Sequence, residues 1–152
     1  MPLVSEKPIF TIHSPLGGIQ KLGHTPYGER RIINILGGTV DGPKLKGKVL
    51  PGGADWQIVR TDGVVHLTAR YTIEADTGAQ ILVNAEGYRY GPPEVMAQLA
   101  RDETVDPSLY YFRTFMRFET ADPSALWLNR ILALGHGERQ KGAVRIGVFE
   151  VL

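Results

Sequence analysis

The chain contains no cysteine among its 152 residues, which excludes disulfide scaffolds, thiolate metal sites, iron–sulfur clusters and cysteine nucleophiles. It also lacks an excess of charge, since 17 Lys and Arg stand against 16 Asp and Glu, so nucleic acid is not an expected partner. No apolar run reaches the roughly 18 residues of a membrane span, and no secretory signal is visible at the N-terminus. We therefore expect a cytoplasmic protein that binds neither nucleic acid nor membrane.

Familiar catalytic motifs are missing as well. Gly137–Gly142 has the spacing of a phosphate loop, but Ala143 and Val144 stand where Lys and Ser or Thr are required. No serine lies in a GxSxG nucleophile elbow, and the four histidines form no metal-binding pattern. We therefore expect neither a metal nor a cofactor.

What the chain has in excess is glycine and proline, 18 and 10 residues, about 12% and 7% against averages of about 7% and 5%. These residues separate short segments that read as strands, as at Asp62–Gly63, a pair favoured in tight hairpins. The predicted strands are Ile9–His13, Ile32–Leu36, Leu45–Leu50, Trp56–Thr61, Val64–Glu74, Ala79–Tyr90, Leu109–Glu119, Leu126–Gly135 and Ala143–Leu152. The pattern predicts an all-β fold, a single antiparallel β-barrel of roughly 8–10 strands and lipocalin-like size, with residues 1–152 as one domain.

One segment, PPEVMAQLARDE, predicts a short helix, because Pro93 suits a first turn and the apolar residues after it form a stripe. We expect this helix to cover an end or an edge of the sheet.

Strand alternation leaves two interpretations of the interior. In Val64–Glu74 the odd positions are apolar and the even positions from His66 onward are polar or charged. Either the apolar face forms the core and the polar face lies in water, or the barrel holds a partly polar cavity and packs its apolar faces on a neighbour. A closed sheet of about eight strands has room for one small ligand.

Three pairs of polar and aromatic residues are candidates for a ligand site. They are Asp55 with Trp56, Tyr111 with Arg113, and Trp127 with Asn129. A carboxylate, guanidinium, phenol, amide and indole together suit an oxygenated ring substrate and can polarise its carbonyl. The alternative is a buried Arg–Asp ion pair that holds the barrel together, with the aromatic residues as packing.

Five segments add a further indication through their order and spacing: GERRIINILGGTVDGPKLKG, LPGGADW, ARYTIEADTG, YYFRT followed by RFET, and WLN. With them the chain resembles, from about Gly28 to its C-terminus, the family called domain of unknown function 3237. The resemblance implies a small antiparallel β-barrel and adds Arg30 and Arg70 to the ligand-binding candidates. Thr68 and Thr77 depart from the family pattern, which often has acidic residues there, so more weight falls on Asp55 than on Arg70.

These residues predict a cavity that binds a small apolar, oxygen-bearing molecule, aromatic or polyketide-like. We expect cofactor-independent lyase, hydratase, isomerase or cyclase chemistry. In that scheme Asp55 is the general acid or base, Arg113 and Asn129 stabilise a developing enolate or alkoxide, Tyr111 donates a proton or orients the substrate, and Trp127 stacks on it. The alternatives are a non-catalytic carrier or sensor, and a structural barrel with a filled interior.

A homo-oligomer is expected from one apolar stripe. If Leu126–Gly135 is a strand, its leucines form an outward apolar face, and such faces usually mark an interface. These residues are Leu126, Leu128, Leu132 and Leu134.

Overall fold

The computed structural model describes all 152 residues and consists mainly of strands. The strands are β1 Phe10–Thr25, β2 Gly28–Ile35, β3 Gly38–Asp41, β4 Gly47–Val49, β5 Gly53–Val59, β6 Val65–Ala75, β7 Gln80–Tyr90, β8 Tyr111–Glu119, β9 Ala133–Gln140 and β10 Ala143–Glu150. The helix α1 spans Pro93–Ala100, and two 3-10 helices span Pro107–Leu109 and Pro123–Arg130. None of the helices is long and apolar enough to cross a membrane.

Eight strands form a closed antiparallel ring in the order β1-β2-β5-β6-β7-β8-β9-β10, and β10 pairs with β1 to close it. The short strands β3 and β4 make a second link between β1 and β6. Closure leaves the ring without a free edge, which removes the usual template for aggregation. The predicted antiparallel β-barrel is confirmed.

The barrel interior is mainly apolar, and only a few polar side chains point into it. On β6 the side chains of Val65, Leu67, Tyr71 and Ile73 are buried, whereas Arg70 is exposed. The interior holds two separate clusters of buried apolar residues. The larger cluster fills one end of the barrel, here called the closed end, and the smaller one packs α1 onto the other, here called the helix end.

Each end has its own cover. At the closed end the 3-10 helix Pro123–Arg130 inserts Leu128 into the large cluster. At the helix end α1 packs Val95 and Leu99 against the barrel residues Val65 and Phe112. The prediction of a short helix that covers an end of the sheet is therefore confirmed.

The predicted strand Leu126–Gly135 is wrong over its first half. Asp122 caps a 3-10 helix there, since its carboxylate accepts a hydrogen bond from the Ser124 backbone N–H at 2.9 Å. Leu128 is consequently fully buried rather than outward-facing, whereas Leu126, Leu132 and Leu134 are exposed. The apolar stripe proposed for self-association is thus shorter than expected, and the homo-oligomer stays a prediction.

Strand β1 is longer than predicted, because it continues past Pro15 and Gly17–Gly18 to Thr25. Its pairing with β2 shifts register twice, between Leu16 and Ile19 and between Lys21 and Gly23. These irregularities break the alternation on which the sequence prediction depended. The four-residue strand β3 was missed because Gly38 and the turn residues after it hide so short a segment.

Candidate functional site

A cavity lies inside the barrel between the two apolar clusters. This inner cavity is narrow, with a volume of about 70 Å³, and it is open at one side. Its lining includes Ile12, Ser14, Ile33, Asp55, Gln57, Leu67, Tyr71, Arg89, Phe112, Thr114 and Arg139. An outer cavity beneath α1 shares Leu16, Ile33, Arg89 and Arg139 with it, so the two adjoin and the inner cavity opens toward the helix end.

Two glycines on the inner face of β9 let other side chains occupy the barrel centre. A Cβ atom at Gly137 would lie 2.6 Å from the Phe112 ring, and one at Gly135 would lie 2.3 Å from Thr114 Oγ1. Larger residues at these positions would force Phe112 and Thr114 to move. The glycines therefore help to set the shape of the inner cavity.

Asp55 belongs to a chain of three polar side chains on the inner faces of β2 and β5. Gln57 Nε2 donates a hydrogen bond to Asp55 Oδ2 at 2.8 Å, and Arg31 Nη2 donates to Gln57 Oε1 at 2.8 Å. Gln57 is only 1% exposed and lies directly opposite Arg31 in the strand register. One Asp55 oxygen is thus fixed by a neutral amide, while Oδ1 is buried and has no hydrogen-bond partner.

Burial raises the pKa of Asp55 above its usual value. The Gln57 hydrogen bond, the Arg89 charge, the Thr68 backbone and the Arg31 charge lower it and only partly oppose this. Nearby, burial also raises the pKa of the Tyr71 hydroxyl, which therefore keeps its proton. A carboxyl group with a raised pKa is a stronger base than an ordinary carboxylate, and it can accept a proton from a ligand and return it. The inner cavity thus combines an acid–base group with a neutral hydroxyl donor.

Arg89 is the most isolated charge in the protein. It is 6% exposed, and its side chain makes no hydrogen bond and no ion pair with any residue. Its guanidinium carbon lies 5.4 Å from the centre of the Phe112 ring, within cation–π range. Burial, together with the charges of Arg139 and Arg31, lowers the pKa of Arg89 to about 10, so it stays charged at neutral pH.

The unpaired polar atoms of the molecule are confined to this region. Six buried side-chain nitrogen or oxygen atoms have no hydrogen-bond partner, and every one belongs to a residue that lines the inner or the outer cavity. They are Arg31 Nε, Asp55 Oδ1, Tyr71 Oη, Arg89 Nε, Thr114 Oγ1 and Arg139 Nε. Buried polar groups are nearly always paired in folded proteins, so this concentration is typical of a binding site.

Of the predicted catalytic residues, only Asp55 lines the inner or the outer cavity. Asn129 instead lines a separate surface pocket together with Arg70. Tyr111 lies on the outside of the barrel and stacks on Tyr90, with ring centres 5.0 Å apart. Arg113 lies over the Tyr111 ring and donates a hydrogen bond to the backbone oxygen of Phe112. Their neighbour Phe112 points inward, because successive side chains of a strand face opposite sides.

Asn129 and Trp127 lie at the closed end, away from Asp55. The Asn129 side chain accepts a hydrogen bond from the Thr120 N–H and donates one to the Thr120 oxygen, at 2.9 and 2.8 Å. Trp127 packs on the large cluster, and the Lys44 ammonium lies 5.3 Å from its ring centre. Both residues hold the 3-10 helix and its surroundings in place.

The remaining ligand-binding candidates also lie outside both cavities. Trp56 is 38% exposed on the outer face of β5, and Arg70 is exposed on the outer face of β6. Arg30 lines neither cavity, whereas its neighbour Arg31 does. In each case an adjacent residue lines a cavity, because successive side chains of a strand face opposite sides.

The residues that sequence reasoning missed are charged or polar members of otherwise apolar strand faces. Arg89 shares its face with Ile81, Val83 and Ala85, all of which are buried. Tyr71 likewise lies on the buried face of β6. A single arginine on such an apolar face is the signal that could have identified the site. Burial of its charge costs folding free energy, so the residue is expected to have a binding or catalytic role.

Residues 4–151 match the family described as "Protein of unknown function (DUF3237)", and the chain belongs to this family. An uncharacterised protein of Rhodopseudomonas palustris is 44% identical over 151 residues, 99% of each chain. The crystal structure of a conserved protein of unknown function from the same species has a TM-score of 0.91 at 43% identity, covering 100% of this chain and 99% of that one. The expected family resemblance is confirmed.

Two further solved structures share the fold. A "beta-barrel like protein" from Acinetobacter baumannii is 40% identical with a TM-score of 0.84, covering 99% of this chain and 97% of that one. An "enzyme from Penicillium herquei" is 18% identical with a TM-score of 0.72, covering 100% and 97%. At that identity the second likeness shows the shared fold only.

Proposed function

We propose that this member of the DUF3237 family binds a small apolar, oxygen-bearing molecule in the inner cavity and transfers a proton on it, with Asp55 as the general acid or base. The observation that carries the proposal is Asp55 itself. It is a buried carboxyl group with one oxygen unpaired, at the wall of a cavity whose other lining residues are mostly apolar. An apolar ligand body fits such a lining, and the few polar groups orient it.

The proposed step needs no cofactor. The Asp55 carboxylate accepts a proton from a carbon next to a ligand carbonyl, and the electron pair of that C–H bond moves to the carbonyl oxygen as an enolate. Return of the proton to the same carbon restores the ligand or inverts a stereocentre, and its return to a conjugated carbon moves the double bond. In a cyclisation the enolate carbon attacks a conjugated double bond within the ligand, the electron pair of that double bond moves into a second enolate, and Asp55 returns the proton to that enolate. Tyr71 and Arg89 supply the donors that stabilise the enolate oxygen.

Two features of the site favour this chemistry over an architectural role for Asp55. Gln57 holds Oδ2 while Oδ1 stays unpaired, so the carboxyl group is oriented but not neutralised by an arginine. The six unpaired polar atoms around the inner and outer cavities argue against the third interpretation, a barrel filled by its own side chains. A carrier that binds the same molecule without changing it stays the alternative, and activity assays separate the two.

The experiment uses 2-tetralone, an apolar bicyclic ketone with readily enolised protons, in D2O. Proton NMR follows the loss of the C1 proton signal as deuterium replaces hydrogen. We expect the wild-type protein to accelerate this exchange about 100-fold over the Asp55→Asn variant, the usual contribution of a positioned base. Asp41→Asn, which changes an exposed carboxylate on β3, is the matched control and should exchange like the wild type.

Binding of the ketone is measured in parallel by isothermal titration calorimetry. Equal exchange rates for the wild type and Asp55→Asn, with the ketone bound to both, would overturn the acid–base role and favour the carrier. Failure of the ketone to bind the wild type at all would overturn the assignment of the cavity to apolar ketones.

A further inference from the structure

We propose that Arg89 anchors an anion-binding subsite at the junction of the two cavities, so that the ligand carries an acidic group on its apolar body. This inference rests on the cavity described under the proposed function and names the substrate class for it. The acidic group is a carboxylate or an acidic phenol, whose negative charge and oxygen acceptors suit a guanidinium.

The first support is that no residue of the chain neutralises Arg89 directly. The two other arginines that line the cavities have direct partners, since Arg139 at the junction donates to Asp102 and Arg31 in the outer cavity donates to Gln57, each at 2.8 Å. Arg89 has no such partner and is buried. A buried charge without a counterion is costly, and a chain keeps such a group where a ligand supplies the opposite charge.

The nearby carboxylates do not fill this role. Asp102 is held by Arg139 and by the Gly142 backbone N–H, at 2.8 and 2.9 Å. Glu29 lines only the outer cavity, and its charge acts on Arg31. Asp55 influences Arg89 electrostatically, but its hydrogen bond goes to Gln57. The field at Arg89 is therefore dominated by the positive charges of its neighbours.

The second support is the position of Arg89 between the two cavities. Arg89 and Arg139 line both cavities, whereas Asp55 and Tyr71 line only the inner one. A ligand whose acidic group lies at Arg89 therefore places its apolar body either in the inner cavity, against Leu67 and Phe112, or in the outer one. Only the first placement brings the body to Asp55, so the anchor fixes the orientation that the proposed proton transfer needs.

The test compares two probes of nearly the same shape, 2-naphthoate and the neutral 2-naphthamide, by isothermal titration calorimetry at pH 7.5. We expect the wild-type protein to bind naphthoate at least about tenfold more tightly, since hydrogen bonds to charged groups favour the anion by that margin. Arg89→Met should lose this preference, and Arg89→Lys should retain part of it. Arg117→Met removes an exposed arginine from the outer face of β8 and should leave the preference unchanged.

Folding is checked separately by denaturant unfolding. Because Arg89→Met replaces an unpaired buried charge by an apolar chain of similar length, we expect it to unfold at a higher denaturant concentration than the wild type. If Arg89→Met does not fold, Arg89→Lys provides the binding comparison. Equal binding of both probes by the wild type, or an unchanged preference in a folded Arg89 variant, would overturn the proposal.

Asp55→Asn separates this proposal from the proposed function. The variant removes a negative charge from the cavity, so naphthoate should bind it as tightly as the wild type or more tightly, although ketone exchange is lost. Exchange without an anion preference would overturn only the subsite. An anion preference without exchange would overturn only the acid–base role, and would describe a carrier of organic acids.

Discussion

The two ends of the barrel are built from the same strands, but they differ in how densely their side chains pack and in how many buried polar atoms have hydrogen-bond partners. At the closed end Phe10, Ile73, Met116, Leu128 and Val148 are all 0% exposed. The cavities, and with them all six unpaired buried polar atoms, lie between this packing and the helix end. Dense packing is thus concentrated at the closed end, and the unpaired polar groups that a ligand can contact are concentrated around the cavities.

Single strands contribute to both regions. On β8 the inward residues Phe112 and Thr114 line the inner cavity, and Met116 and Phe118, further along the same face, belong to the closed-end cluster. The site therefore lies on rigid strands whose far halves are fixed by dense packing. Such support holds a binding residue more firmly than a loop does.

We expect the largest change in stability from a substitution in the densely packed closed end. Met116→Ala removes a fully buried side chain and should lower the free energy of unfolding by about 2–5 kcal/mol, because it loses contacts and leaves a void. The same substitution at Met96, a half-buried residue of α1 beside the outer cavity, should cost much less. Urea unfolding of both variants measures the difference. Equal costs would show that packing is not concentrated at the closed end.

The second-largest expected effect is a pH-dependent change in stability caused by Asp55 in the inner cavity. The pKa of Asp55 is higher in the folded protein than in the unfolded chain, so the folded state binds its proton more tightly. Ionisation of Asp55 therefore costs folding free energy as the pH rises above the unfolded value, and the full cost is present above the folded pKa. Asp55→Asn removes this cost, so relative to the wild type it should gain stability from pH 4 to pH 8.

Asp41 supplies the control of opposite sign. Lys46 lies 2.6 Å from its carboxylate and lowers its pKa, so this carboxylate stabilises the fold above the unfolded pKa and loses that contribution as the pH falls. Asp41→Asn should therefore lose stability relative to the wild type as the pH rises. Unfolding free energies of the three proteins at several pH values make the comparison. Parallel curves for Asp55→Asn and the wild type would contradict the raised pKa.

Much of the fold could be predicted from the sequence, because strand alternation and turn residues are local signals. Val64–Glu74 and Ala79–Tyr90 were predicted within one residue of β6 and β7. Where local chemistry competes with the pattern, the prediction was wrong. The Asp122 cap and the Asn129 side chain turn Leu126–Arg130 into a 3-10 helix, although its leucines alternate as in a strand.

The site was less predictable, because it depends on which face of each strand points inward. Asp55 was identified correctly as a cavity residue, but Arg113 and Arg30 each lie one position from an inward side chain. A residue's polarity does not say which face it occupies. Arg89 on β7 and Arg139 on β9 come together through the register of both strands with β8, and the alternation within one strand does not reveal that register.

The smallest expected effect concerns the replacement of a buried threonine by valine, made once at the closed end and once in the inner cavity. At the closed end Thr120 Oγ1 donates to the Gln80 oxygen at 2.8 Å and accepts from the Asp122 N–H, so Thr120→Val should cost about 1 kcal/mol. Thr114 Oγ1 in the inner cavity has no partner, so Thr114→Val should be neutral or stabilise the fold slightly. Urea unfolding of both variants tests this. If Thr114→Val lowers the free energy of unfolding as much as Thr120→Val does, the Thr114 hydroxyl has a hydrogen-bond partner in solution, because removal of an unpaired hydroxyl costs no hydrogen bond.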